Sequence, residues 1–359
     1  MKIIISAGGT GGHIYPALAI LDEFYKKEKK VDVIYVGTHN RMEKEIVKAR
    51  GLRYEEIEIY GVHKTKMIRN IKNIFLIKKA QDRCVQLINE FKPDIVIGTG
   101  GYVIYPVINA AKKCGVTTFL HEQNSIPGKS NSWLSKDVDL IGVSFENTKE
   151  HFKEAKDVFY SGNPCSSSAN DAKEIKKESL GLSKNKKLIL IVSGSLGSQT
   201  INDKFKVFLK LIENEDYEVV YITGKSHYES FIKDEKFPKN VIIKPFIENL
   251  PGLMKSADIV ISRAGASTIS EILSLNLPSI LIPSPYVANN HQYYNALDLK
   301  DQGLSVLIEE KNVSAEKLLI EINELLKEEN YNKIKEKLIN TKQIDSAELI
   351  YNKIKEKLK

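Results

Sequence analysis

The sequence predicts an α/β fold built from two doubly wound domains, each with its own parallel sheet. Three observations predict it. Short apolar runs alternate with helix-forming segments along the chain, which is typical of parallel βα units. The two halves repeat one order of motifs, and glycine-rich turns follow the first and the fourth apolar run of each half.

The apolar runs predict the strands, and the amphipathic segments between them predict the helices. In the first half the predicted strands are Ile3–Ser6, Val31–Val36, Tyr54–Ile59, Asp94–Ile97, Thr117–His121 and Leu140–Val143. In the second half they are Leu188–Val192, Glu218–Ile222, Val241–Ile243, Asp258–Ser262 and Ser279–Ile282. The clearest predicted helices are Pro16–Lys29, Arg41–Ala49, Asn202–Asn214 and Ser267–Leu275.

The repeated motifs indicate a duplicated domain. Asp94-Ile-Val-Ile-Gly-Thr-Gly-Gly matches Asp258-Ile-Val-Ile-Ser-Arg-Ala-Gly, and a repeat of this length means two copies of one α/β domain. Ser6 and Ser193 are 187 residues apart but Asp94 and Asp258 only 164. The first copy therefore has 23 additional residues between these landmarks, which we assign to the segment 61–81.

Turn-forming residues near Ser161-Gly-Asn-Pro-Cys-Ser-Ser-Ser mark the predicted linker between the domains. We expect an acceptor- and membrane-binding domain over residues 1–161 and a second domain over residues 162–341. The charged, helical tail, from about residue 342 to residue 359, is expected to pack back on the first domain.

Composition narrows the functional classes. Three scattered cysteines show no metal-binding or redox spacing and favour a reducing, cytoplasmic compartment. No apolar run approaches the roughly 18–20 residues that cross a bilayer. The net charge of +7 is modest, and the basic residues are dispersed rather than interleaved with aromatic ones, so nucleic acid is not an expected partner.

The segment 63–79 combines apolar residues with six cations and contains no acidic residue. A basic amphipathic segment of this kind can lie on an anionic membrane, with its apolar side in the interface. The alternative is an ordinary helix of the domain with a solvated basic face. We expect a peripheral association with the cytoplasmic face of the cell membrane.

The first glycine turn, Gly8-Gly-Thr-Gly-Gly-His, follows a strand and precedes a helix, which can place backbone N–H groups around an anion. It does not fit a dinucleotide site, because Ile14 stands at the third glycine position and no acid follows Val36. It also lacks the lysine of a P-loop. Two such domains facing each other would form a cleft for a group transferase with two substrates.

Taken together, the motifs resemble those of the MurG family of peptidoglycan N-acetylglucosaminyltransferases. In chain order they are Gly8-Gly-Thr-Gly-Gly-His-Ile-Tyr-Pro-Ala-Leu-Ala, Gly98-Thr-Gly-Gly-Tyr, His121-Glu-Gln-Asn, Ser161-Gly-Asn-Pro, Gly194-Ser-Leu-Gly, Ser262-Arg-Ala-Gly-Ala-Ser-Thr-Ile-Ser-Glu and His291-Gln-Tyr-Tyr-Asn-Ala. The resemblance implies a GT-B fold, UDP-N-acetylglucosamine (UDP-GlcNAc) as donor and the undecaprenyl-pyrophosphoryl lipid I as acceptor. It also implies inversion at the anomeric carbon, with no cofactor and no essential metal.

The resemblance places the donor in the second domain. The free N–H groups of the helix that opens at Ala266 would face the pyrophosphate, while Ile247 would lie beside the uracil and Glu271 would accept from the ribose hydroxyls. The full donor set is Ser195, Ile247, Ala266, Ser267, Thr268, Glu271, His291, Gln292 and Asn295.

On the acceptor side, His13 is the first candidate for the base, because an imidazole suits proton transfer at neutral pH; the alternative is a structural histidine under the loop. Glu122 is the second candidate, with orientation of His13 or of a loop N–H as its alternative. The residues expected to contact the substrates are Thr10, Gly11, Gly12, Tyr102 and Asn124.

The chain departs from the family pattern at Ser166, where family members commonly carry an arginine that contacts the donor. Either Lys225 or another cation replaces that charge, or donor binding is weaker. Two alternatives therefore stay open: a GT-B glycosyltransferase with a different lipid acceptor, and a UDP-sugar binder without catalysis.

Overall fold

The structure is a computed structural model that describes residues 1–61, 67–193, 199–341 and 344–359. The chain divides into two compact units. Unit 1 comprises Met1–Cys165 and Ile344–Lys359, and unit 2 comprises Ser166–Gln343. The sequence places the same division four residues earlier, between 161 and 162.

Thirteen strands lie in the described part of the chain, and every pairing between them is parallel. Those of unit 1 are β1 (Lys2–Ser6), β2 (Asp32–Thr38), β3 (Arg53–Ile57), β4 (Ile95–Gly98), β5 (Thr117–Glu122), β6 (Leu140–Val143) and β7 (Val158–Tyr160). Those of unit 2 are β8 (Lys187–Val192), β9 (Tyr217–Ile222), β10 (Val241–Lys244), β11 (Ile259–Ser262), β12 (Ser279–Leu281) and β13 (Val306–Leu307).

Helices connect these strands. The first seven are α1 (Gly11–Lys27), α2 (Met42–Ala49), α3 (Met67–Phe91), α4 (Ile104–Lys113), α5 (Lys129–Leu134), α6 (Cys165–Asp171) and α7 (Gln199–Leu211). The remaining seven are α8 (Tyr228–Ile232), α9 (Leu250–Met254), α10 (Ala266–Ser274), α11 (His291–Asp301), α12 (Ala315–Leu326), α13 (Glu328–Asn340) and α14 (Ser346–Lys357). Among the described residues, no helix combines the length and apolarity needed to cross a membrane.

The two sheets have one topology, which confirms the predicted fold. The orders are β3-β2-β1-β4-β5-β6-β7 in unit 1 and β10-β9-β8-β11-β12-β13 in unit 2. In each sheet the second and third strands are added on one side of the first strand. The fourth strand then pairs with the other side of the first strand, and the later strands follow it outward. The switch point lies between β1 and β4 in unit 1 and between β8 and β11 in unit 2. In open α/β sheets, ligands bind beyond the carboxyl ends of the strands at this point.

Each predicted strand overlaps a strand of the structure, but the sequence does not predict β7 and β13. Both are edge strands of only three and two residues, too short to show a period. The central strands are buried on both faces, with Ile3, Ile4 and Ile5 at most 1% exposed, because helices cover both sides of a parallel sheet.

The predicted start of the first helix is wrong. The sequence places it at Pro16, near the first turn, but α1 begins at Gly11 and Pro16 is its sixth residue. Thr10 has the extended backbone of an N-cap, and its carbonyl accepts from the N–H groups of His13 and Ile14. Proline has no N–H, so the Gly12 carbonyl loses its partner within the helix, but Gly12 is exposed. Because α1 begins at Gly11, the residues Gly11, Gly12 and His13 belong to its first turn.

The additional residues of the first copy appear as a longer helix. The connection before β4 contains α3, with 25 residues, while the equivalent connection before β11 contains α9, with five. Asn73 fixes α3 to the preceding segment, because its side chain accepts from the Tyr60 N–H and donates to the Tyr60 carbonyl.

The C-terminal helix packs on unit 1, as the sequence predicts. Ile350 and Ile354 of α14 are fully buried in the same apolar cluster as Leu18 and Phe24 of α1. The Tyr351 ring meets Phe24 edge-on at 5.0 Å between centroids. These contacts close one face of the unit 1 sheet.

Candidate active site

Two glycine turns meet at the switch point of the unit 1 sheet. The Gly8 N–H donates to the Gly100 carbonyl at 3.2 Å, and the Thr99 N–H donates to Ser6 at 3.2 Å. Gly101 has a φ of +86°, and a Cβ there would collide with the Gly8 carbonyl oxygen. The turns can approach this closely only because they lack side chains.

The imidazole of His13 lies directly on these turns. Its Nδ1 is 3.0 Å from the Gly8 carbonyl oxygen. The Thr10 hydroxyl, which can donate or accept, lies farther from the same nitrogen, at 3.4 Å. Because the nearer partner is a carbonyl and can only accept, the contact assigns the proton to Nδ1 and leaves a lone pair on Nε2 when the ring is neutral. A Cβ at Gly100 would lie 2.5 Å from the ring. The side chain is partly exposed, and Nε2 has no partner among the residues described. This is the arrangement of a base that can accept a proton.

Glu122, the second base candidate, is engaged elsewhere. One carboxylate oxygen accepts from the N–H and the side-chain amide of Asn124, at 2.9 and 3.2 Å. The other accepts from the Gly128 N–H at 3.0 Å and from the Asn131 amide at 2.8 Å. The side chain is 1% exposed. These four donors favour the loop-holding alternative over the role of base.

The other acceptor-side candidates border the same turns. Thr10 and Gly12 are exposed and Gly11 is buried at the start of α1. Tyr102 is partly buried and lies near Gly61, where a Cβ would come within 3.5 Å of its ring. Asn124 lies in the loop that follows β5, which Glu122 holds. The structure therefore brings Thr10, Gly11, Gly12 and His13 together at one edge of the sheet.

In unit 2, the helix α10 begins beside the switch point without a side-chain cap. Its first intrahelical bond runs from the Ile269 N–H to Gly265, so the preceding N–H groups of Ala266, Ser267 and Thr268 have no partner within the helix. Its first turn contains no acidic residue. The Ser267 hydroxyl is buried with no partner in the described part of the chain. This end of α10 can receive an anion.

The arginine of the turn before α10 points away from that site. Arg263 Nη1 lies 2.7 Å from Glu310 Oε2, and both side chains are nearly buried. Asn295 is fully buried, and its amide donates to the Ala264 carbonyl at 3.2 Å. These two contacts hold the turn that leads into α10.

The start of α11 presents two polar side chains in fixed orientations. Gln292 Oε1 accepts from the Ser284 N–H at 2.9 Å, which leaves its amide N–H groups to donate to a ligand. His291 Nδ1 is 2.8 Å from the Ala288 carbonyl and must donate to it. Asn289 and Asn290 have φ values of +54° and +51°, a conformation that asparagine adopts more readily than most residues.

Glu271 and Ile247 complete the described donor candidates. Glu271 is the sixth residue of α10, and burial raises the pKa of its carboxyl to about 8. Ile247 follows β10 and is partly buried. Ser195 lies outside the described residues. The part of the chain that the structure describes contains no cluster of three potential metal-ligating side chains.

Comparison with known proteins assigns the family. Models of the glycosyltransferase family 28 N-terminal and C-terminal domains match residues 3–143 and 188–350. A Halalkalibacterium halodurans protein named UDP-N-acetylglucosamine--N-acetylmuramyl-(pentapeptide) pyrophosphoryl-undecaprenol N-acetylglucosamine transferase is 44% identical over 330 residues, 91% of each chain. The chain belongs to glycosyltransferase family 28.

Solved structures agree with this family 28 assignment. The crystal structure of MurG from Acinetobacter baumannii superposes with a TM-score of 0.77 at 27% identity, covering 99% of both chains. A UDP-GlcNAc 2-epimerase from Neisseria meningitidis, solved bound to UDP-GlcNAc, has a TM-score of 0.67 at 15% identity, covering 99% of this chain and 100% of its own. At that identity the epimerase shares the fold alone.

Two buried groups of this family 28 chain were missed by the sequence reasoning. Glu43 is fully buried and accepts from the Gly9 N–H in the first glycine turn. His121 is also fully buried, and burial lowers its pKa to about 4, so the ring is neutral. It accepts from the amide of Gln123, which also donates to Thr99 beneath the second turn. Only the three-dimensional contacts reveal these roles, because neither residue lies in a glycine turn.

Lys225, the cation that the sequence offers in place of the family arginine, lies beside the donor candidates. Its ammonium is 4.6 Å from the centroid of the Phe246 ring, and Phe246 directly precedes Ile247. Asn276 follows the end of α10 with a φ of +52°, a conformation that asparagine tolerates better than most residues.

Proposed function

We propose that this family 28 glycosyltransferase moves N-acetylglucosamine from UDP-GlcNAc to the undecaprenyl-pyrophosphoryl-MurNAc-pentapeptide lipid I, which gives lipid II. The observation that carries the proposal is the 44% identity, over 91% of both chains, to a relative named for this activity. The geometry of the two sheets supports the proposal. The carboxyl edge of the unit 1 sheet presents His13 as a base, and in unit 2 the start of α10 presents a site for an anion.

In the proposed reaction the C4 hydroxyl oxygen of the acceptor sugar forms a bond to the anomeric carbon of the donor. The bond from that carbon to the phosphate oxygen breaks, and UDP leaves with the electron pair. The hydroxyl proton passes to His13 Nε2, the ring nitrogen that the Gly8 carbonyl leaves unprotonated. Attack opposite the leaving group inverts the anomeric carbon and gives a β-1,4 linkage.

The leaving group is stabilised at the start of α10. The free N–H groups of Ala266, Ser267 and Thr268 face the pyrophosphate as negative charge develops on it. Gln292 donates its amide N–H groups to the sugar or the phosphates, and Lys225 supplies a nearby positive charge. In this proposal these groups act in place of a metal ion, and no cofactor takes part.

The remaining donor contacts recognise the nucleoside. Ile247 packs against the uracil, and Glu271 accepts from the ribose hydroxyls. The Nδ1 of His291 donates to the Ala288 carbonyl, which orients the ring; in this proposal His291 contacts the sugar or the phosphates. Ser195, which the family resemblance assigns to the phosphates, lies outside the described residues.

The decisive experiment uses radiolabelled UDP-GlcNAc and a short-chain lipid I analogue in detergent, with and without EDTA. We expect a β-1,4-linked disaccharide product in both conditions and loss of turnover by at least tenfold in His13→Asn, since general bases contribute about 10² to 10⁴ in rate. His151→Asn, an exposed histidine of the same unit, is the matched control. Donor binding without transfer would indicate a UDP-sugar binder, and preference for another lipid would change the acceptor.

The surface of α3 supports the proposed membrane contact. Ile74 is 64% and Phe75 is 70% exposed, and Lys72, Lys78 and Lys79 are exposed beside them. At 3.6 residues per turn these five side chains occupy about 160° of the helix circumference. We call them the basic-apolar face of α3; residues 63–66 of the predicted segment 63–79 lie outside the described residues.

We expect the basic-apolar face of α3 to bind the anionic cytoplasmic surface of the membrane. Each lysine near an anionic surface contributes about 1 kcal/mol of attraction, and the apolar side chains enter the interface. We expect replacement of the three lysines by glutamine to weaken binding to vesicles containing phosphatidylglycerol by roughly 100-fold, with neutral vesicles as control. Unchanged sedimentation with the anionic vesicles would contradict this role of α3.

A further inference from the structure

We propose that Glu43 is a positioning residue for His13 and acts through the peptide group of Gly8 and Gly9 that lies between them. The inference rests on the proposed role of His13 as the base. The peptide group makes a hydrogen bond on each side. Its N–H donates to Glu43 Oε2 at 3.2 Å, and its carbonyl accepts from His13 Nδ1 at 3.0 Å.

The carboxylate of Glu43 is held firmly under the glycine turn. Glu43 is the second residue of α2 and is 0% exposed. Its Oε1 accepts from the Thr38 hydroxyl at 2.6 Å and from the Thr38 N–H at 3.2 Å, at the end of β2. A Cβ at Gly8 would come within 2.8 Å of Oε1. The turn therefore needs glycine at residue 8 because a carboxylate occupies the space beside it.

The orientation of this peptide group determines which nitrogen of His13 carries the proton. The N–H and C=O of a trans peptide point in opposite directions. While Glu43 holds the N–H, the carbonyl faces Nδ1 and requires a proton there. If the peptide turned over, the Gly9 N–H would face Nδ1 instead. Nδ1 would then have to accept, the proton would move to Nε2, and the lone pair that takes the acceptor proton would be lost.

The glycines make such a turn-over accessible, so an external group must prevent it. Gly9 has a φ of +90° and no neighbour within 4 Å of the position of a Cβ. Glycine crosses between backbone conformations with little steric cost. In the described part of the chain, Glu43 is the acceptor for the Gly9 N–H. The carboxylate of Glu43 also strengthens the hydrogen bond from His13 Nδ1 to the Gly8 carbonyl, because hydrogen bonds in a chain polarise one another.

Glu43→Gln is the informative substitution. The glutamine oxygen can still accept from the two Thr38 donors, and its amide then points toward Gly9. Two N–H groups cannot pair, whereas the turned-over peptide would offer the Gly8 carbonyl to that amide. The variant therefore favours the wrong orientation while it adds no bulk. We expect kcat to fall at least tenfold and the KM for UDP-GlcNAc to change less than threefold.

Asp139→Asn is the matched control. Asp139 Oδ2 accepts from the N–H and the hydroxyl of Thr118, at 3.0 and 2.9 Å, which repeats the contact of Glu43 with Thr38. Thr118 lies near the start of β5, at the opposite edge of the same sheet from the glycine turns. This variant loses a similar hydrogen-bonded carboxylate, and we expect its kcat to remain within threefold of the wild type.

The measurement that a purely structural role would not change is the tautomer of His13. In protein labelled with ¹⁵N-histidine, the His13 signals among the seven histidines are assigned by their loss in His13→Asn. At alkaline pH we expect the proton on Nδ1 in the wild type and in Asp139→Asn, and on Nε2 in Glu43→Gln. Thermal unfolding of each variant measures the accompanying loss of stability.

Three results would overturn the proposal. One is a wild-type His13 with its proton on Nε2, a result that needs no substitution of Glu43 and holds even if Glu43→Gln fails to fold. Another is a Glu43→Gln protein with an unchanged tautomer. The third is a loss of kcat that is equal in Glu43→Gln and Asp139→Asn. If the wild type transfers no sugar, the proposed function fails, but the tautomer measurement still decides whether Glu43 positions His13.

Discussion

The buried ion pair between Arg263 and Glu310 gives a prediction whose size follows from its surroundings. The exposed fractions of the two side chains are 11% and 6%, and Nη1 and Oε2 are 2.7 Å apart. Arg263→Met removes the charge but keeps most of the side-chain length. Glu310 is then left as a buried carboxylate without its partner, and breaking a buried pair in this way costs about 3–5 kcal/mol.

We expect the lower end of that range, about 3 kcal/mol, because another cation lies nearby. The Lys204 ammonium donates to the main-chain carbonyls of Glu310 and Val313, at 2.7 and 2.9 Å. For a unit of this size the loss corresponds to a fall in Tm of roughly 6–12 °C. The double variant Arg263→Met/Glu310→Leu removes both charges and should recover most of the stability, since an apolar pair of similar volume is often neutral.

Urea unfolding provides the assay. Circular dichroism follows the whole chain, while the single tryptophan, Trp133, reports on unit 1 alone. Arg263→Met should shift the circular dichroism transition, and the double-mutant cycle should give a coupling energy of about 2 kcal/mol or more. A cost below about 1 kcal/mol for Arg263→Met, or additive effects in the cycle, would refute the argument that this pair is buried and coupled.

Three further predictions concern the donor site and the core. Burial raises the pKa of Glu271 from its usual value near 4.5 to about 8. The folded state therefore binds the proton more tightly than the unfolded state, and stability falls as the pH rises from about 4.5 to about 8. Glu271→Gln should remove this fall and be more stable than the wild type at pH 8 by about 2 kcal/mol, after allowance for partial exposure, as measured by urea unfolding at the two pH limits. Lys225→Ala should raise the Kd of UDP-GlcNAc about fivefold in calorimetry, less at high salt because the charge is exposed, whereas an equal effect at all salt concentrations would contradict an electrostatic contact. Ile354→Ala should destabilise unit 1 by about 2–5 kcal/mol, measured by Trp133 fluorescence in urea, and a loss below 1 kcal/mol would mean that α14 contributes little to the core.

Much of the site could be predicted because its backbone elements are local. Glycine turns follow β1 and β4 directly in the chain, and parallel strands bring their carboxyl ends to one edge. The sequence therefore predicts that residues 8–13 and 98–101 lie together, as the Gly8 to Gly100 hydrogen bond confirms. The same reasoning places the start of α10 at the switch point of unit 2.

The roles of individual charged groups were harder to predict. Glu122 follows the pattern of a catalytic carboxylate, but four donors from the following loop and from α5 engage it. Arg263 precedes an anion site, but its guanidinium turns toward Glu310. In both cases the direction of the side chain depends on partners that the sequence pattern does not reveal.

The sequence by itself determined the fold, the duplication and the edges of the two sheets where the candidate site residues lie. These features depend on apolar periodicity and on glycine at fixed distances after a strand, both of which are properties of neighbouring residues. Only the tertiary structure decided the start of α1, the proton position on His13 and the place of Glu43. The physical reason is that a hydrogen bond between Glu43 and Gly9, 34 residues apart, exists only because the pairing of β1 with β2 brings the two ends together.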